Sequence, residues 1–276
     1  MATQKFTGVI PPVVVPDTED HQLDVASFER SINRMIDAGV DGLFFLGSSG
    51  EVVFSTDERR RQIIAEAVRI VDHRVPVLVG IIDTETERMI EHGKVAQELG
   101  ADALIVADAG LACALRTAIP GVEIHLSTQA GVHSEGAVRL AADELGVERV
   151  TTARELTVDE IAALCATGVP IEVFCHGAIC IGYSGACEFS ALRRGRSAMR
   201  GDCTQPCRLA YDLVDEAGQS VVAVEGDRLL CPRDYLGIAH LPELVDAGVA
   251  SLKIEGRMKN PDYVFNVVRV WRRALD

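Results

Sequence analysis

Asp41–Ile81, DGLFFLGSSGEVVFSTDERRRQIIAEAVRIVDHRVPVLVGI, decides the fold. It opens on a short apolar run, DGLFFLG, and closes on another, VPVLVGI. Between them STDERRRQIIAEAVRIV places apolar residues at helical spacing, with Ser55 or Thr56 as a natural N-cap. The reading is strand, helix, strand.

The same rhythm extends in both directions. Upstream, GVIPPVVVP (Gly8–Pro16) predicts a first strand and DVASFERSINRMIDAG a helix closed by Gly39. Downstream come the helix ETERMIEHGKVAQELG, the strand ADALIVAD and a shorter helix around GLACALRTAIPG. VEIHLS, VERVTTA and VPIEVFCHG predict strands five, six and seven, with SEGAVRLAADELG and TVDEIAALCATG as the intervening helices. VASLKIEG (Val249–Gly256) is the eighth strand, and NPDYVFNVVRVWRRALD the closing helix. Eight strands, each followed by a helix except where one long loop intervenes, predict a (β/α)8 TIM-like barrel. A doubly wound open sheet is the alternative. There is no GxGxxG fingerprint, Walker loop, or Ser- or Pro-rich linker, so residues 1–276 are expected to form one domain.

Between strands seven and eight lies an excursion of roughly residues 177–240, too long for a routine βα loop and therefore expected to be functional. Within it LAYDLVDEAGQSVVAVEG reads as a hairpin around EAGQS. In a barrel such a loop emerges at the C-terminal face, where active sites are built.

Hydrophobic residues make up 48% and charged residues 25%, which suits a soluble globule with a substantial core. No apolar run approaches the ~20 residues needed to cross a bilayer, so no membrane role is expected. MATQKFTGVIPP lacks the basic start and long apolar stretch of a signal peptide, and the expected location is cytoplasmic. A formal net charge of -14 argues against a free-standing role on nucleic acid, because phosphates are held by Lys and Arg. Yet RRGRSAMRG (Arg193–Gly201) gathers four arginines, either a local anion-binding patch or a solvated basic loop.

Eight cysteines in a reducing compartment should mostly be thiols. Cys113 and Cys165 sit in helical patterns and read as packing. Five others crowd into Phe174–Arg208, FCHGAICIGYSGACEFSALRRGRSAMRGDCTQPCR. Cys180 and Cys187 are separated by six residues, Cys203 follows after fifteen and Cys207 after three more. Four thiols in one loop suit a metal centre. Only Cys203 and Cys207 have zinc-knuckle spacing, whereas irregular spacing suits a [4Fe–4S] cluster. Zinc and reduced structural cysteines stand as the alternatives. Cys207 completes a compact motif, while Cys231 in LLCPRDY requires the hairpin to fold back; Cys207 is preferred.

Two resemblances accompany these readings. Residues 6 to about 106, from FTGVIPPVVVP to STDERR, resemble the dihydrodipicolinate synthase and N-acetylneuraminate lyase family. GSSGE (Gly47–Glu51) stands where that family has its substrate-carboxylate loop, and Ser48 and Ser49 are donors to an anion. The family works through a lysine Schiff base on strand six beside a tyrosine on strand five, and neither VERVTTA nor VEIHLS carries one. Its aldolase chemistry is therefore expected to be absent. Of four lysines, only Lys253 is placed to point into a barrel mouth.

From about Ala101 onward the chain resembles the U32, or collagenase-like, peptidase family. The motifs are IHLSTQAGVHSEGAVRLAADELGVERVTTARELTVDEI, EVFCHGAICIGYSGACEFS, GRSAMRGDCTQPCR and SLKIEGRMKNPDYV. The resemblance implies a [4Fe–4S] cluster and oxygen-independent hydroxylation of an RNA base or a quinone precursor, with a partner protein open. Peptidase activity finds little support: there is no Ser/His/Asp order and no HExxH helix, and Cys175 and His176 point to opposite faces of a strand. The two resemblances meet near ELGADALIVAD (Glu98–Asp108), which divides the chain into a lyase-like half-barrel, 1–106, and a U32-like half, 107–276. A lyase and a catalytically inactive barrel remain as alternatives.

Other candidate residues follow from position. His125 and His176 end strands five and seven at the face of the excursion, each either catalytic or holding buried backbone. Ser127 and Gln129 supply neutral hydrogen-bonding groups beside His125. Lys253, Glu255 and Arg257 alternate onto one face of strand eight, suiting either an anionic substrate, a small molecule or the RNA that the resemblance implies, or a buried ion network. Arg154, after strand six, joins either arrangement.

Overall fold

The computed structural model describes residues 6–221, 228–255 and 259–276. Seven parallel strands, β1 (Gly8–Val9), β2 (Leu43–Phe45), β3 (Val77–Gly80), β4 (Ala103–Val106), β5 (Glu123–Leu126), β6 (Arg149–Thr151) and β7 (Ile171–Ala178), are followed by the antiparallel β8 (Asp234–Leu236) and the parallel β9 (Ser251–Ile254). The pairing order is β1-β9-β7-β6-β5-β4-β3-β2. A parallel bridge between Pro12 and Phe44 joins the first strand back to the second, closing the expected (β/α)8 barrel. The first strand is shorter than Gly8–Pro16 because Pro11 and Pro12 have no N–H to give the ladder.

Helices α1 (Val25–Asp37), α2 (Asp57–Val71), α3 (Thr86–Glu98) and α4 (Ala109–Ala118) ring the front strands; α5 (Glu135–Arg139), α6 (Val158–Cys165), α7 (Phe189–Arg194) and α8 (Leu241–Asp246) follow, and α9 (Pro261–Leu275) packs against α1. Thr56 is the cap of α2, its hydroxyl accepting from Arg59 N at 3.3 Å. Asp41 clamps the closure. Its Oδ2 accepts from Val9 N at 2.8 Å and from Arg272 of α9 at 3.0 Å. Gly8 has φ +74°, and a Cβ there would collide with that carboxylate, so the clamp requires glycine.

The barrel interior divides into two chemistries. Phe6, Ile10, Leu78, Ala103 and Ile105, with Phe44, form an apolar cluster on the front strands. The back strands fill their half with His125, Arg149, Thr151, Glu172, Ser251 and Lys253, all buried. Glu172 is the hub. Its Oε1 accepts from Lys253 Nζ at 3.0 Å and from Thr151 Oγ1 at 2.9 Å, and its Oε2 from Ser251 Oγ at 3.0 Å. Arg149 donates to Ser251 Oγ at 2.7 Å and to the Phe6 carbonyl. Burial alone would raise the Glu172 carboxyl, but Lys253 and Arg149 outweigh it and bring it down to about 2.

The excursion leaves and rejoins the barrel on β7. β8 pairs antiparallel with it, His176 opposite Leu236 and Ala178 opposite Asp234, so the excursion proper begins after Ala178. The hairpin exists at its turn: Val214 bridges Ser220, and Asp215 N donates to Gln219 O at 2.9 Å. The remainder of its returning strand falls in 222–227, outside the described residues.

Glu172→Gln keeps the shape of the hub but leaves Lys253 and Arg149 without their counter-charge, at a cost of about 3–5 kcal/mol. Because the folded carboxyl lies at about 2 against the usual 4.5, its stabilisation is present above pH 4.5 and is lost as pH falls from there toward 2. Urea unfolding at neutral pH should show the deficit, and the gap between wild type and variant should shrink through that acid window. Equal stability at pH 7 would contradict the assignment.

Candidate active site at the barrel mouth

An open cavity of about 200 Å³ sits at the C-terminal end of the barrel. Its floor is Lys253, flanked by Phe44 and Phe174, with Nζ 5.0 and 5.7 Å from the two ring centroids. The front half contributes the GSSGE turn: Ser48–Gly50 forms one 3-10 turn, and both Ser48 and Ser49 line the cavity. Ser127 and Gln129, just beyond β5, line it from the next side. Arg154 covers the Phe174 ring at 4.2 Å and also lines the cavity, as does Glu255.

The excursion forms the roof. Cys180, Cys187, Cys203 and Cys207 all line this same cavity. Cys180 is exposed and the other three are half-buried. A Cβ on Gly182 would stand 3.0 Å from Sγ of Cys187 and 3.7 Å from Sγ of Cys180, so these two thiols flank one bare stretch of backbone. Buried Ser190 approaches Cys203, Oγ to Sγ 3.9 Å, while accepting from Thr204 N at 3.2 Å. Burial pushes the Cys207 thiol up, against the opposing pull of Arg208. Among the described residues no three His, Cys, Asp or Glu side chains close on a point where a single ion would sit; the four thiols share the lining of the cavity.

Short tethers hold the roof in place. Ser184 N donates to Glu155 Oε1 at 2.6 Å, and Ser184 Oγ accepts from Arg154 N at 3.1 Å. Gln129 Nε2 donates to the Ala198 carbonyl at 2.9 Å. Arg208 donates to Cys231 Sγ at 3.0 Å, to Pro232 O at 2.9 Å and to the Ile179 carbonyl, clipping the two arms of the excursion together. Cys231 therefore lies against Arg208, and Cys207 is the one of the two that lines the cavity.

Both histidines lie away from this cavity, unlike their expected placement at the mouth. His125 is the third residue of a four-residue strand and stays inside the barrel, 2% exposed, edge-on to Phe6 at 4.8 Å. Burial lowers its pKa, opposed by Glu123 at 3.4 Å. His176 follows a register shift in the β7–β9 pairing and turns outward, its ring 5.9 Å from Tyr263 and 6.4 Å from Trp271. Gly177, at φ +105°, completes that turn where a Cβ would strike the Glu255 carbonyl. Arg257 lies outside the described residues. Cys175 is fully buried, and burial pushes its thiol up, so it forms no nucleophilic dyad with His176. Cys113, expected to pack, is exposed on α4.

Glu172, Phe174 and Arg208 escaped the sequence reading. An acid inside the apolar run VPIEVFC was the available signal for Glu172, since a charge on a buried strand is retained only with partners.

Comparison with known proteins bears on this cavity. The family described as peptidase family U32 matches residues 33–276, a wider span than the motifs from about residue 101 onward. The chain is 45% identical over 180 residues to the 23S rRNA 5-hydroxycytidine C2501 synthase of Escherichia coli K12, covering 65% of this chain and 27% of that protein. It is 34% identical over 248 residues to tRNA hydroxylation protein P1 of Bacillus subtilis 168, covering 86% and 58%. A Porphyromonas gingivalis W83 protein named collagenase is 32% identical over 270 residues, covering 91% and 64%. The chain thus spans less than two thirds of the length of each of these relatives. Among solved structures, a dihydrodipicolinate synthetase-type protein of Pseudomonas aeruginosa superposes with a TM-score of 0.65 over 98% of this chain and 77% of its own, at 19% identity, which speaks to the fold alone. YagE of Escherichia coli K12, of the dihydrodipicolinic acid synthase family and solved with pyruvate, gives 0.53 at 29% identity over 62% and 64%. A barrel whose strand-seven loop carries these cysteines, matched by the family over nearly its whole length, belongs to peptidase family U32.

Proposed function

We propose that this chain is the barrel domain of a cytoplasmic RNA-hydroxylation protein, holding a [4Fe–4S] cluster on Cys180, Cys187, Cys203 and Cys207. One observation carries the reading: the four thiols share a single cavity with the serine turn, Gln129, Arg154 and Lys253. Four thiols spread along one cavity lining fit a cluster, whose irons bear their ligands at separate corners, better than zinc, whose ligands converge at about 2.3 Å on one ion. The cluster, once bound, supplies redox chemistry that needs no molecular oxygen.

The remaining roles belong to the protein. Lys253, aimed by its ion pair with Glu172, presents its ammonium to an electronegative atom of the substrate. Ser48, Ser49, Ser127 and Gln129 orient it by hydrogen bonds, and the Arg154–Phe174 stack offers a flat wall for an aromatic base. Glu255 lines the cavity, and its carboxyl is the group that would move a proton there. His125, held by Glu123 and Phe6 within the barrel, takes no part at the cavity. RNA is favoured over a quinone precursor because relatives named for rRNA and tRNA hydroxylation match most of this chain. The division at residues 106 and 107 belongs to the same proposal; the U32 match begins at residue 33 and so runs across the join, and the likeness to a dihydrodipicolinate synthetase-type barrel extends over 98% of the chain. The strand-six position of the Schiff-base lysine falls in Arg149–Thr151, so the lyase reading has no amine there.

Anaerobic purification should yield a brown protein with about four irons and matching sulfide per chain. Serine at Cys180, Cys187, Cys203 or Cys207 should each abolish iron retention, whereas Cys231→Ser should keep it. A colourless protein, iron-free after reconstitution, would sink the cluster; bound zinc would reassign the thiols.

Lys253→Met should retain iron yet lower hydroxylation of RNA, followed by mass spectrometry of digested nucleosides, by about 100-fold or more. Full activity in that variant would remove Lys253 from the site.

A further inference from the structure

Arg193, Arg194, Arg196 and Arg200 are all exposed. The chain has 41 acidic residues against 27 basic ones, yet no acid lies between Glu188 and Asp202. Arg193 and Arg194 end α7 (Phe189–Arg194), where the helix dipole favours cations, which accounts for two of the four. Arg196 and Arg200 lie beyond the helix. Ala198 and Met199, between them, line the mouth cavity, so the arginines stand on its rim. Among the described residues Arg193, Arg194 and Arg200 have no carboxylate within ion-pair reach, whereas Arg196 meets Asp202 at 3.1 Å.

An aromatic stands beside them. Phe54, three residues after the GSSGE turn, is 61% exposed, and the Arg196 guanidinium lies 5.1 Å from its ring centroid. A large apolar ring left in water against Arg196, in a stretch whose other three arginines lack a carboxylate partner among the described residues, is the pairing that single-stranded nucleic acid uses: cations follow the phosphates and a ring stacks a base.

We infer that residues 193–200, with Phe54, form the docking ledge for a single-stranded segment of RNA whose target base enters the mouth cavity. The inference rests on the RNA reading above and adds where the strand lies and what form it takes. A base paired in a duplex cannot reach a cavity floored by Lys253 and roofed by the excursion; it must be unpaired or extruded. The ledge draws one part from the front half and one from the excursion, so the surface exists only when the excursion is seated.

Fluorescence anisotropy with a short labelled single-stranded RNA, titrated across salt concentrations, tests this. Replacing Arg193, Arg194 and Arg200 together by glutamine should weaken binding at least about tenfold at low salt and reduce the slope of log affinity against log salt by about 2. Phe54→Ala should weaken binding about tenfold with the salt slope unchanged. Iron content serves as the folding control in both variants. If wild type binds RNA and the arginine variant binds it equally well with the same slope, the ledge is refuted while the hydroxylation reading stands. If wild type binds neither single-stranded nor hairpin RNA, or binds anionic vesicles instead, both fall.

Discussion

A single buried carboxylate organises the working half of this barrel. Glu172 takes hydrogen bonds from Lys253, Thr151 and Ser251, and Ser251 passes the connection to Arg149. Removing these charges from water is costly, so the arrangement holds only while each group has its partners. That condition fixes rotamers on three back-half strands at once. Lys253 cannot swing away without stranding Glu172, and its ammonium therefore stays at the cavity floor between two aromatic rings. What looks like filler in the barrel is the support of the site above it.

The asymmetry of the interior follows from the same constraint. The front strands meet in an apolar cluster that needs only volume to be satisfied, which tolerates exchange so long as packing is kept. The back strands carry a network in which every member depends on its neighbours. The serine turn of the front half still faces the cavity, and the excursion reaches over to meet it, with Gly201 close to both Ile82 and Ser48. The mouth is thus assembled from both halves.

The excursion is positioned by few but well-placed contacts. Ser184 is held by Glu155 and by the backbone of Arg154, Gln129 holds Ala198, and Arg208 clips Ile179 to the Cys231–Pro232 turn. Each tether joins a βα loop, or the excursion itself, to a backbone group or thiol near the cysteines. The thiols come from parts of the chain up to 27 residues apart (Cys180 to Cys207), and these tethers are what bring them to one hollow.

The alternation of short apolar runs with capped amphipathic helices determined the barrel, because local periodicity and capping are properties of contiguous residues. Thr56 and the turn of the EAGQS hairpin were readable for the same reason. The face shared by Lys253 and Glu255 was equally plain, since strand side chains alternate regardless of context. The cysteine count and the unusual length of the excursion marked the roof of the mouth cavity. Only the tertiary structure decided which residues face it. His125 lies too deep in a short strand, and a register shift beside Gly177 turns His176 toward α9; neither effect is visible to simple alternation. Glu172 drew no attention because its partners lie on β6 and β9, and the choice of Cys207 over Cys231 as a cavity residue depends on how Arg208 folds one arm of the loop against the other. Which groups meet is set by contacts between residues far apart in the chain, and those exist only once the barrel has closed.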